Sequence, residues 1–187
     1  AKFITVSNHF PFPEDEMNNT FALDTGDETV DGYFNTVHYA DEALAEFFQY
    51  MKDAGLYDNT IFVLYGDHFG ISSSRNETLA PLIGANADLW SAYDDAMMQR
   101  VPFIIHNPGS GTGQISDVYG GQIDILPTVM HLLGVDTSAY VQLGQDLLSA
   151  QNEGIVVFRN GSIVTSEYTI LGNTVYHTQT GTLAYQT

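Results

Sequence analysis

The 187-residue sequence contains no cysteine, few basic residues and no long apolar run, and each of these absences excludes a class of site or partner. Without cysteine there are no disulfide bonds and no thiolate metal ligands. Five Lys and Arg residues are set against 23 acidic residues, so the formal net charge is −18. This charge repels nucleic acid and anionic membrane surfaces, and an anionic substrate would therefore need a metal ion. No apolar run reaches the roughly 18 residues that indicate a membrane-spanning helix.

The residues that are present indicate a folded domain. Hydrophobic residues make up 44% of the sequence and aromatic residues 12%, which is typical of globular proteins. The apolar run Phe3–Ser7 predicts a strand that starts almost at the first residue. Because neither a leader nor an initiator methionine precedes it, we expect an N-terminal half of the domain to be missing. An unpaired sheet edge, which favours self-association, would then follow.

The periodicity of apolar residues predicts helices alternating with strands. An amphipathic helix is predicted from Tyr33 to Ala54, with Asp31 as its cap and Gly55 as the left-handed residue after its end. The segment from Glu14 to Asp31 is predicted to be a solvated acidic loop. The all-apolar strand Ile61–Tyr65, a weak helix from Glu77 to Ile83 and a second apolar strand, Val101–His106, are predicted next. A further helix is predicted from Ile125 to Leu133, with Asp124 as its cap, Pro127 in its first turn and Gly134 after its end. This order of elements is typical of an α/β fold.

Beyond Gly154 the pattern changes to short β-rich runs separated by turn pairs. The runs are IVVF, SIVT, YTIL, TVYH and TLAY, and two of the turns contain Asn160-Gly161 and Gly172-Asn173. Residues 1–150 are therefore predicted to form a partial α/β domain, with a mostly parallel sheet flanked by helices. Residues 151–187 are predicted to form a small C-terminal antiparallel β meander.

The sequence IFVLYGDHFGIS places an acid and an imidazole, Asp67 and His68, directly after a buried strand. Ligands of α/β sheets bind beyond the carboxyl ends of strands, so this position favours a site. The glycines at positions 66 and 70 would let the backbone turn both side chains toward one point. A carboxylate with a neutral imidazole suits Mn²⁺ or Zn²⁺, and Mg²⁺ less well. The structural alternative is that Asp67 caps a turn while His68 is hydrogen-bonded at the strand end.

Other polar residues are assigned structural roles. His38, His131 and His177 are isolated and are interpreted as surface or packing residues. His106 stands at the end of the second apolar strand and would lie near the same crevice. The glycine-rich segment 108–113 is interpreted as a turn, because no Lys-Ser/Thr pair of a phosphate loop follows it. Trp90 is either a hydrophobic anchor or a lid contact.

Six blocks of the sequence, in order, carry a family resemblance. They are ITVSNHFPF, GYFNTVHYADEALAEF, GLYDNTIFVLYGDHFGIS, QRVPFIIHNPG, YGGQIDILPTVMHLLG and VVFRNGSIVTSEYT. Together they resemble the C-terminal half of the extracellular domain of the lipoteichoic acid synthase family. That family is a branch of the sulfatase and alkaline phosphatase superfamily, which implies a sulfatase-like α/β fold.

This resemblance implies transfer of glycerol phosphate from phosphatidylglycerol to a growing lipoteichoic acid chain through a phospho-threonine intermediate. It implies a divalent cation, typically Mn²⁺ with Mg²⁺ or Zn²⁺ as alternatives, whose ligands would include Asp67 and His68. The nucleophilic Thr and a further Glu ligand would lie upstream, so no catalytic nucleophile is assigned here and the chain alone is expected to be inactive. His9, in the SNHFPF block, matches the family's substrate-site histidine.

The resemblance also implies a location and partners. The full-length protein would be anchored by a transmembrane segment and act at the outer face of a Gram-positive membrane, with possible release to the wall or the medium. Two other functions are kept as alternatives. One is another activity of the superfamily, such as phosphoethanolamine transfer or sulfate ester hydrolysis. The other is a non-catalytic acidic surface domain that binds cations. For His9 itself, the alternative is that Asn8 and His9 order the turn before Pro11.

Overall fold

The computed structural model describes residues 1–12, 21, 23–111 and 113–186. The chain divides into two compact units, one of Ala1–Ser91 with Asp95–Gly113 and one of Ala92–Asp94 with Gln114–Thr187. The subdomain border near residue 150 stays a prediction. Residues 14–20 and 22 of the acidic loop predicted from Glu14 to Asp31 lie outside the described residues, and its last four residues are helical rather than a loop.

The long helix of the first unit, α1, spans Glu28–Asp53 and so begins earlier than predicted. Its N-cap is Asp27, whose carboxylate accepts hydrogen bonds from the backbone N–H groups of Thr29 and Val30. Asp31, predicted as the cap, lies inside the first turn and accepts from the backbone N–H and the hydroxyl of Thr25. The acidic residues at the start of α1 are helical because negative charge near a helix N-terminus is favourable. Gly55 has the predicted left-handed conformation, with φ of +66°.

Two strands of the first unit, β1 (Phe62–Tyr65) and β2 (Phe103–His106), form a two-stranded sheet. They pair in antiparallel fashion, with Phe62 opposite His106 and Tyr65 opposite Phe103. The mostly parallel sheet predicted for residues 1–150 is not seen, because every strand pairing among the described residues is antiparallel. The apolar runs predicted the strands correctly but not their relative direction, because apolar content reports burial and both sheet types can be buried.

The N-terminal run Phe3–Ser7 was predicted to be a strand, and the structure assigns none there. A strand requires a hydrogen-bonding partner strand, and no described strand pairs with this segment. The segment is held by ring and cation contacts instead. Phe3 packs edge-on against Phe47 of α1, and the Lys2 ammonium lies 6.0 Å from the centre of the Tyr65 ring. The segment therefore touches α1 and the last residue of β1, while Phe3, Ile4 and Val6 remain at least 71% exposed.

Short helices complete the first unit. Helix α2 spans Asn76–Leu82 and α3 spans Ala92–Met97, its first residues belonging to the second unit. A small core joins α1, the segment after β1 and α2 through the buried residues Val30, Ile71 and Leu79. Within the described ranges, no helix combines the length and the apolar composition needed to cross a bilayer.

The second unit contains α4 (Ile125–Leu132) and a five-stranded antiparallel sheet. The strands follow one another in chain order, which confirms the predicted meander: β3 (Val156–Val157), β4 (Ile163–Val164), β5 (Tyr168–Leu171), β6 (Thr174–His177) and β7 (Leu183–Gln186). Asp124 precedes α4 as predicted, but its carboxylate accepts from the backbone N–H groups of Gly121 and Gln145 rather than from the first turn of the helix. Gly134 follows α4 with φ of +65°.

Candidate functional site

The loop that carries Asp67 and His68 is fixed at both ends. At its start, the backbone N–H of Gly66 donates to the carbonyl of Pro102 at 3.1 Å, which continues the pairing of β1 with β2. At its end, Ile71 is buried in the core with 7% of its surface exposed. A backbone anchored in this way presents its side chains from a rigid support rather than from a free loop.

The two glycines of the loop serve close packing rather than unusual backbone angles. Neither Gly66 nor Gly70 has a positive φ, which differs from the expected role of these residues. A Cβ on Gly66 would lie 2.7 Å from the Cβ of Val101, and one on Gly70 would lie 2.6 Å from the Tyr33 hydroxyl oxygen. Glycine is therefore required at both positions because a neighbouring side chain occupies the space of a Cβ.

The side chains of Asp67 and His68 converge. Oδ1 of Asp67 lies 3.8 Å from Nε2 of His68, and the two side chains are 73% and 55% exposed. Two atoms that bind one ion at about 2.1 Å can be at most about 4.2 Å apart, so this spacing fits a shared divalent cation. The exposure leaves both groups accessible to a ligand.

The hydrogen bond of the His68 ring selects the tautomer that suits metal binding. Nδ1 of His68 lies 2.7 Å from the carbonyl oxygen of Phe69. A carbonyl oxygen can only accept, so Nδ1 carries the proton and donates it. The lone pair of a neutral ring then lies on Nε2, the atom nearest the Asp67 carboxylate.

His9 lies beside this pair. The rings of His9 and His68 meet edge to face, with centroids 5.6 Å apart and an interplanar angle of 88°. Nδ1 of His9 is 2.7 Å from the carbonyl oxygen of Phe10, so this ring also has its proton on Nδ1 and its lone pair on Nε2. The backbone N–H of His9 donates to Val6, and that of Phe12 donates to His9, which fixes a tight turn. The structure thus brings together the three residues that the sequence singled out.

Within the described part of the chain, no group of three or more His, Cys, Asp or Glu side chains is arranged to hold a metal ion. The other histidines have partners elsewhere. His106 hydrogen-bonds the Tyr57 hydroxyl at 2.6 Å, stacks on Phe62 and so belongs to the aromatic core of the first unit. His131 pairs with Asp146 at 2.5 Å. Asp67 and His68 would supply only two ligands to a metal ion, and further protein ligands would have to come from outside the described residues.

Trp90 makes a polar contact in the first unit. Its Nε1–H donates to the carboxylate of Asp95 at 2.9 Å, and the side-chain amide of Asn76 donates to the same oxygen at 2.8 Å. Asp95 lines a cavity of about 160 Å³ that extends to Phe69, the residue after His68. Trp90 is therefore hydrogen-bonded to a residue in the wall of this cavity.

Sequence reasoning missed the residues that support the site. Tyr33 was recognised only as part of the apolar stripe of α1, yet its ring packs against Gly70 and against the ring of Phe12, 5.5 Å away. Burial raises the pKa of the Tyr33 hydroxyl above its ordinary value, so the phenol is neutral at physiological pH. No sequence pattern links positions 12, 33 and 70, and only the fold brings them together.

Comparison with known proteins identifies relatives of the whole chain. Lipoteichoic acid synthase 1 of Bacillus subtilis (strain 168) is 44% identical over 182 residues, which cover 97% of this chain and 28% of that protein. Lipoteichoic acid synthase of Staphylococcus aureus (strain USA300) is 41% identical over 177 residues, which cover 94% of this chain and 27% of that protein. The chain therefore spans little more than a quarter of the length of these curated relatives.

A solved structure and a family profile agree with these relatives. The crystal structure of the lipoteichoic acid synthase LtaP from Listeria monocytogenes superposes with a TM-score of 0.76 at 31% identity, over 97% of this chain and 47% of that one. The profile of the sulfatase family matches residues 1–135, well over half of the sequence. This chain belongs to the sulfatase family.

Proposed function

We propose that the chain is the C-terminal portion of a metal-dependent glycerol phosphate transferase. The full-length protein would move glycerol phosphate from phosphatidylglycerol to a lipoteichoic acid chain through a phospho-threonine intermediate. The observation that carries this proposal is the similarity to lipoteichoic acid synthases over 97% of the sequence. The convergence of Asp67, His68 and His9 at the end of β1 supports it.

Asp67 and His68 would hold a divalent cation. The carboxylate and the imidazole lone pair form the mixed oxygen and nitrogen set that Mn²⁺ accepts well, with Zn²⁺ and Mg²⁺ as alternatives. When bound, the cation would supply charge neutralisation for the phosphoryl oxygens and would lower the pKa of a coordinated hydroxyl. This contribution matters in a chain with a net charge of −18, because the substrate is also anionic.

His9 would act on the substrate. Its Nδ1–H is engaged by the Phe10 carbonyl, so Nε2 is the ring atom left to meet a ligand. A neutral Nε2 accepts a proton or a hydrogen bond, and a protonated ring would donate one to a phosphate oxygen or to the departing diacylglycerol oxygen. The edge-to-face contact between the rings of His9 and His68, with centroids 5.6 Å apart, supports a role for both side chains on one substrate group.

The nucleophile would lie outside this chain. No Thr of the sequence is assigned that role, and the remaining metal ligands, a Glu and the nucleophilic Thr, would be contributed by the N-terminal half of the protein. The parallel part of a sulfatase-like sheet would likewise be completed by that half. We therefore expect the chain alone to be inactive, and metal-dependent release of glycerol phosphate or diacylglycerol by the isolated chain would contradict this expectation.

The proposed substrates place the full-length protein at the extracellular face of the cell membrane. A transmembrane segment in the N-terminal half would anchor it there, and release to the wall or the medium would follow proteolysis. Fractionation of cells with an antibody against this chain tests the location. Recovery of the protein from the cytoplasm alone would exclude it.

The function is tested by assaying the full-length protein with phosphatidylglycerol, phosphatidylethanolamine and an aryl sulfate in the presence and absence of Mn²⁺. We expect only phosphatidylglycerol to be consumed and a chelator to stop the reaction. Asp67→Asn and His68→Gln should each lower the rate by about 100-fold or more, since even residues that merely support metal ligands are worth about 10–100-fold. Wild-type rates in both variants would favour a non-catalytic cation-binding domain.

Two control substitutions match Asp67→Asn and His68→Gln, one in the first unit and one in the second. Asp58 is an exposed acid in the turn before β1, and His131 is 61% exposed at the end of α4. Asp58→Asn and His131→Gln make the same chemical changes at residues outside the proposed site and should leave the rate unchanged. Turnover of phosphatidylethanolamine or the sulfate ester in place of phosphatidylglycerol would assign the chain to another branch of the superfamily.

A further inference from the structure

The two histidines of the site belong to separate loops that share one aromatic support. His9 lies in the turn that ends at Phe12, and His68 lies in the loop that ends at Gly70. No hydrogen bond between the His9 and His68 side chains joins the loops, since each ring donates to the carbonyl of its own following residue. Their relative position must therefore come from what the two loops pack against.

Tyr33 of α1 contacts both loops. On one side its ring meets the ring of Phe12 edge-on, with centroids 5.5 Å apart and an interplanar angle of 69°. On the other side it fills the space that a Cβ of Gly70 would need, with the hydroxyl oxygen 2.6 Å and Cζ 2.7 Å from that position. A single side chain is thus in contact with the last residue of each histidine turn.

The Phe12 contact is specified by the fold rather than by local preference. Phe12 is 5% exposed and has a φ of +59°, which makes it the one non-glycine residue with a positive φ in the described part of the chain. A bulky residue in this left-handed region costs roughly 1–2 kcal/mol. The surrounding packing overcomes that cost, and the ring of Tyr33 is part of this packing.

The support itself is rigid. Tyr33 lies one turn after Val30, which is fully buried, and three residues before Thr36, which is fully buried as well. The core that contains Val30 also contains Ile71, the residue after Gly70. Helix α1 therefore holds Tyr33 in a fixed place relative to the Asp67–His68 loop.

We propose that Tyr33 is a positioning residue that sets the distance between the rings of His9 and His68, so that both Nε2 atoms face one ligand. The catalytic consequence rests on the proposed function, whereas the geometric part does not. The flat ring is the required feature, because ring atoms of Tyr33 occupy the space beside Gly70 while the same ring makes an edge contact with Phe12. Phenylalanine should therefore replace it, and leucine, which is apolar but not planar, should not.

The geometric part is tested by NMR on this chain with isotopically labelled histidine. The wild type should show a cross-peak between the ring protons of His9 and His68. Tyr33→Phe should retain the cross-peak and Tyr33→Leu should lose it. Tyr50→Leu is the matched control, since Tyr50 lies on the same helix with 65% of its surface exposed. A cross-peak that persists in Tyr33→Leu, or that is absent from the wild type, overturns the proposal.

Two further variants keep the test decisive if Tyr33→Leu does not fold. Phe12→Leu removes the contact on the side of His9, and Gly70→Ala inserts a methyl group on the side of His68. Each should shift the signals of its own histidine and weaken the cross-peak. Unchanged histidine signals in both variants overturn the proposal.

The catalytic part is tested in the full-length protein. Tyr33→Leu should lower kcat by about 100-fold, the effect of a displacement of about 1 Å in a catalytic site, while Tyr33→Phe restores kcat. Loss of the cross-peak in a protein that does not turn over phosphatidylglycerol would refute the proposed function and leave the positioning role intact. Loss of the cross-peak with unchanged kcat would refute the catalytic part alone.

Discussion

Replacing Gly66 by alanine tests whether close packing holds the Asp67–His68 loop in place. The new Cβ would lie 2.7 Å from the Cβ of Val101 and 2.9 Å from its Cγ1. Carbon atoms in favourable contact are about 3.5–4.0 Å apart, so the loop or Val101 must move by about 1 Å. The same loop is fixed by the hydrogen bond from Gly66 to Pro102, which restricts how this movement can occur.

The overlap sets the expected magnitudes. Forcing an extra methyl group into a packed site typically costs about 1–3 kcal/mol, and we expect Gly66→Ala to lower the free energy of unfolding by that amount. If Asp67 and His68 hold the proposed metal ion, a displacement of about 1 Å there would lower the proposed transferase rate of the full-length protein by about 100-fold. Both effects have one cause, because Gly66 directly precedes Asp67.

A double-mutant cycle with Val101→Gly measures the overlap itself. Val101→Gly loses packing and adds backbone freedom in either background, so these costs cancel in the cycle. In the Gly66→Ala background the same change also removes the overlapping atoms, and the coupling energy should favour the double variant. Urea denaturation of the four proteins supplies the free energies of unfolding.

Gly113→Ala is the control for the alanine substitution alone. Gly113 does not have a positive φ, and no heavy atom of the described residues lies within 4 Å of the place that a Cβ would take, so this change should be neutral or slightly stabilising. The reasoning is refuted if Gly66→Ala is as stable and as active as Gly113→Ala. Additivity in the cycle with Val101 would refute the assigned cause even if Gly66→Ala were destabilising.

Three further outcomes are expected. Asp124→Ala should lower the free energy of unfolding, measured by urea denaturation, by about 2–4 kcal/mol, because the backbone N–H groups of Gly121 and Gln145 lose their acceptor on a side chain that is 6% exposed. As a control, replacing the exposed Asp117 by alanine should change this free energy by no more than about 0.5 kcal/mol. Thr169→Val should lower the free energy of unfolding by about 1–3 kcal/mol, because the buried Thr178 hydroxyl loses its hydrogen-bond partner. Replacing both Thr169 and Thr178 by valine should be closer to neutral, because neither hydroxyl is then left unpaired. Because the pKa of Tyr33 is higher in the folded than in the unfolded protein, the stability that it contributes is complete below the unfolded pKa of about 10 and is lost as the pH rises through the folded pKa. Wild type and Tyr33→Phe should therefore differ in the pH dependence of their free energy of unfolding only above about pH 10.

Local patterns predicted much of the secondary structure. The amphipathic period predicted α1, and the five β-rich runs with Asn-Gly and Gly-Asn turns predicted the meander in its correct order. These features depend on residues near one another in the chain, which is why periodicity reports them. The start of α1 was placed too late, because Asp27 and Asp31 are both good caps and only Asp27 is followed by free N–H groups in the structure.

The candidate site was predicted in its composition but not in its support. Asp67, His68 and His9 were named from strand ends and from a family resemblance, and the structure places their side chains next to one another. The assignment of metal and substrate roles to them stays a prediction. The glycines of the loop were noted correctly, yet for the wrong reason, since their neighbours in space are distant in sequence.

The sequence by itself determined the helical and strand segments, the acidic charge, the exclusion of thiolate chemistry and the presence of an acid and an imidazole after an apolar strand. The tertiary structure alone decided that β1 and β2 run antiparallel, that the N-terminal segment is not a strand, and that Tyr33 lies between Phe12 and Gly70. The physical reason is that strand direction and side-chain contact depend on which distant segments meet, and this is set by the packing of the whole unit rather than by the propensity of any one segment.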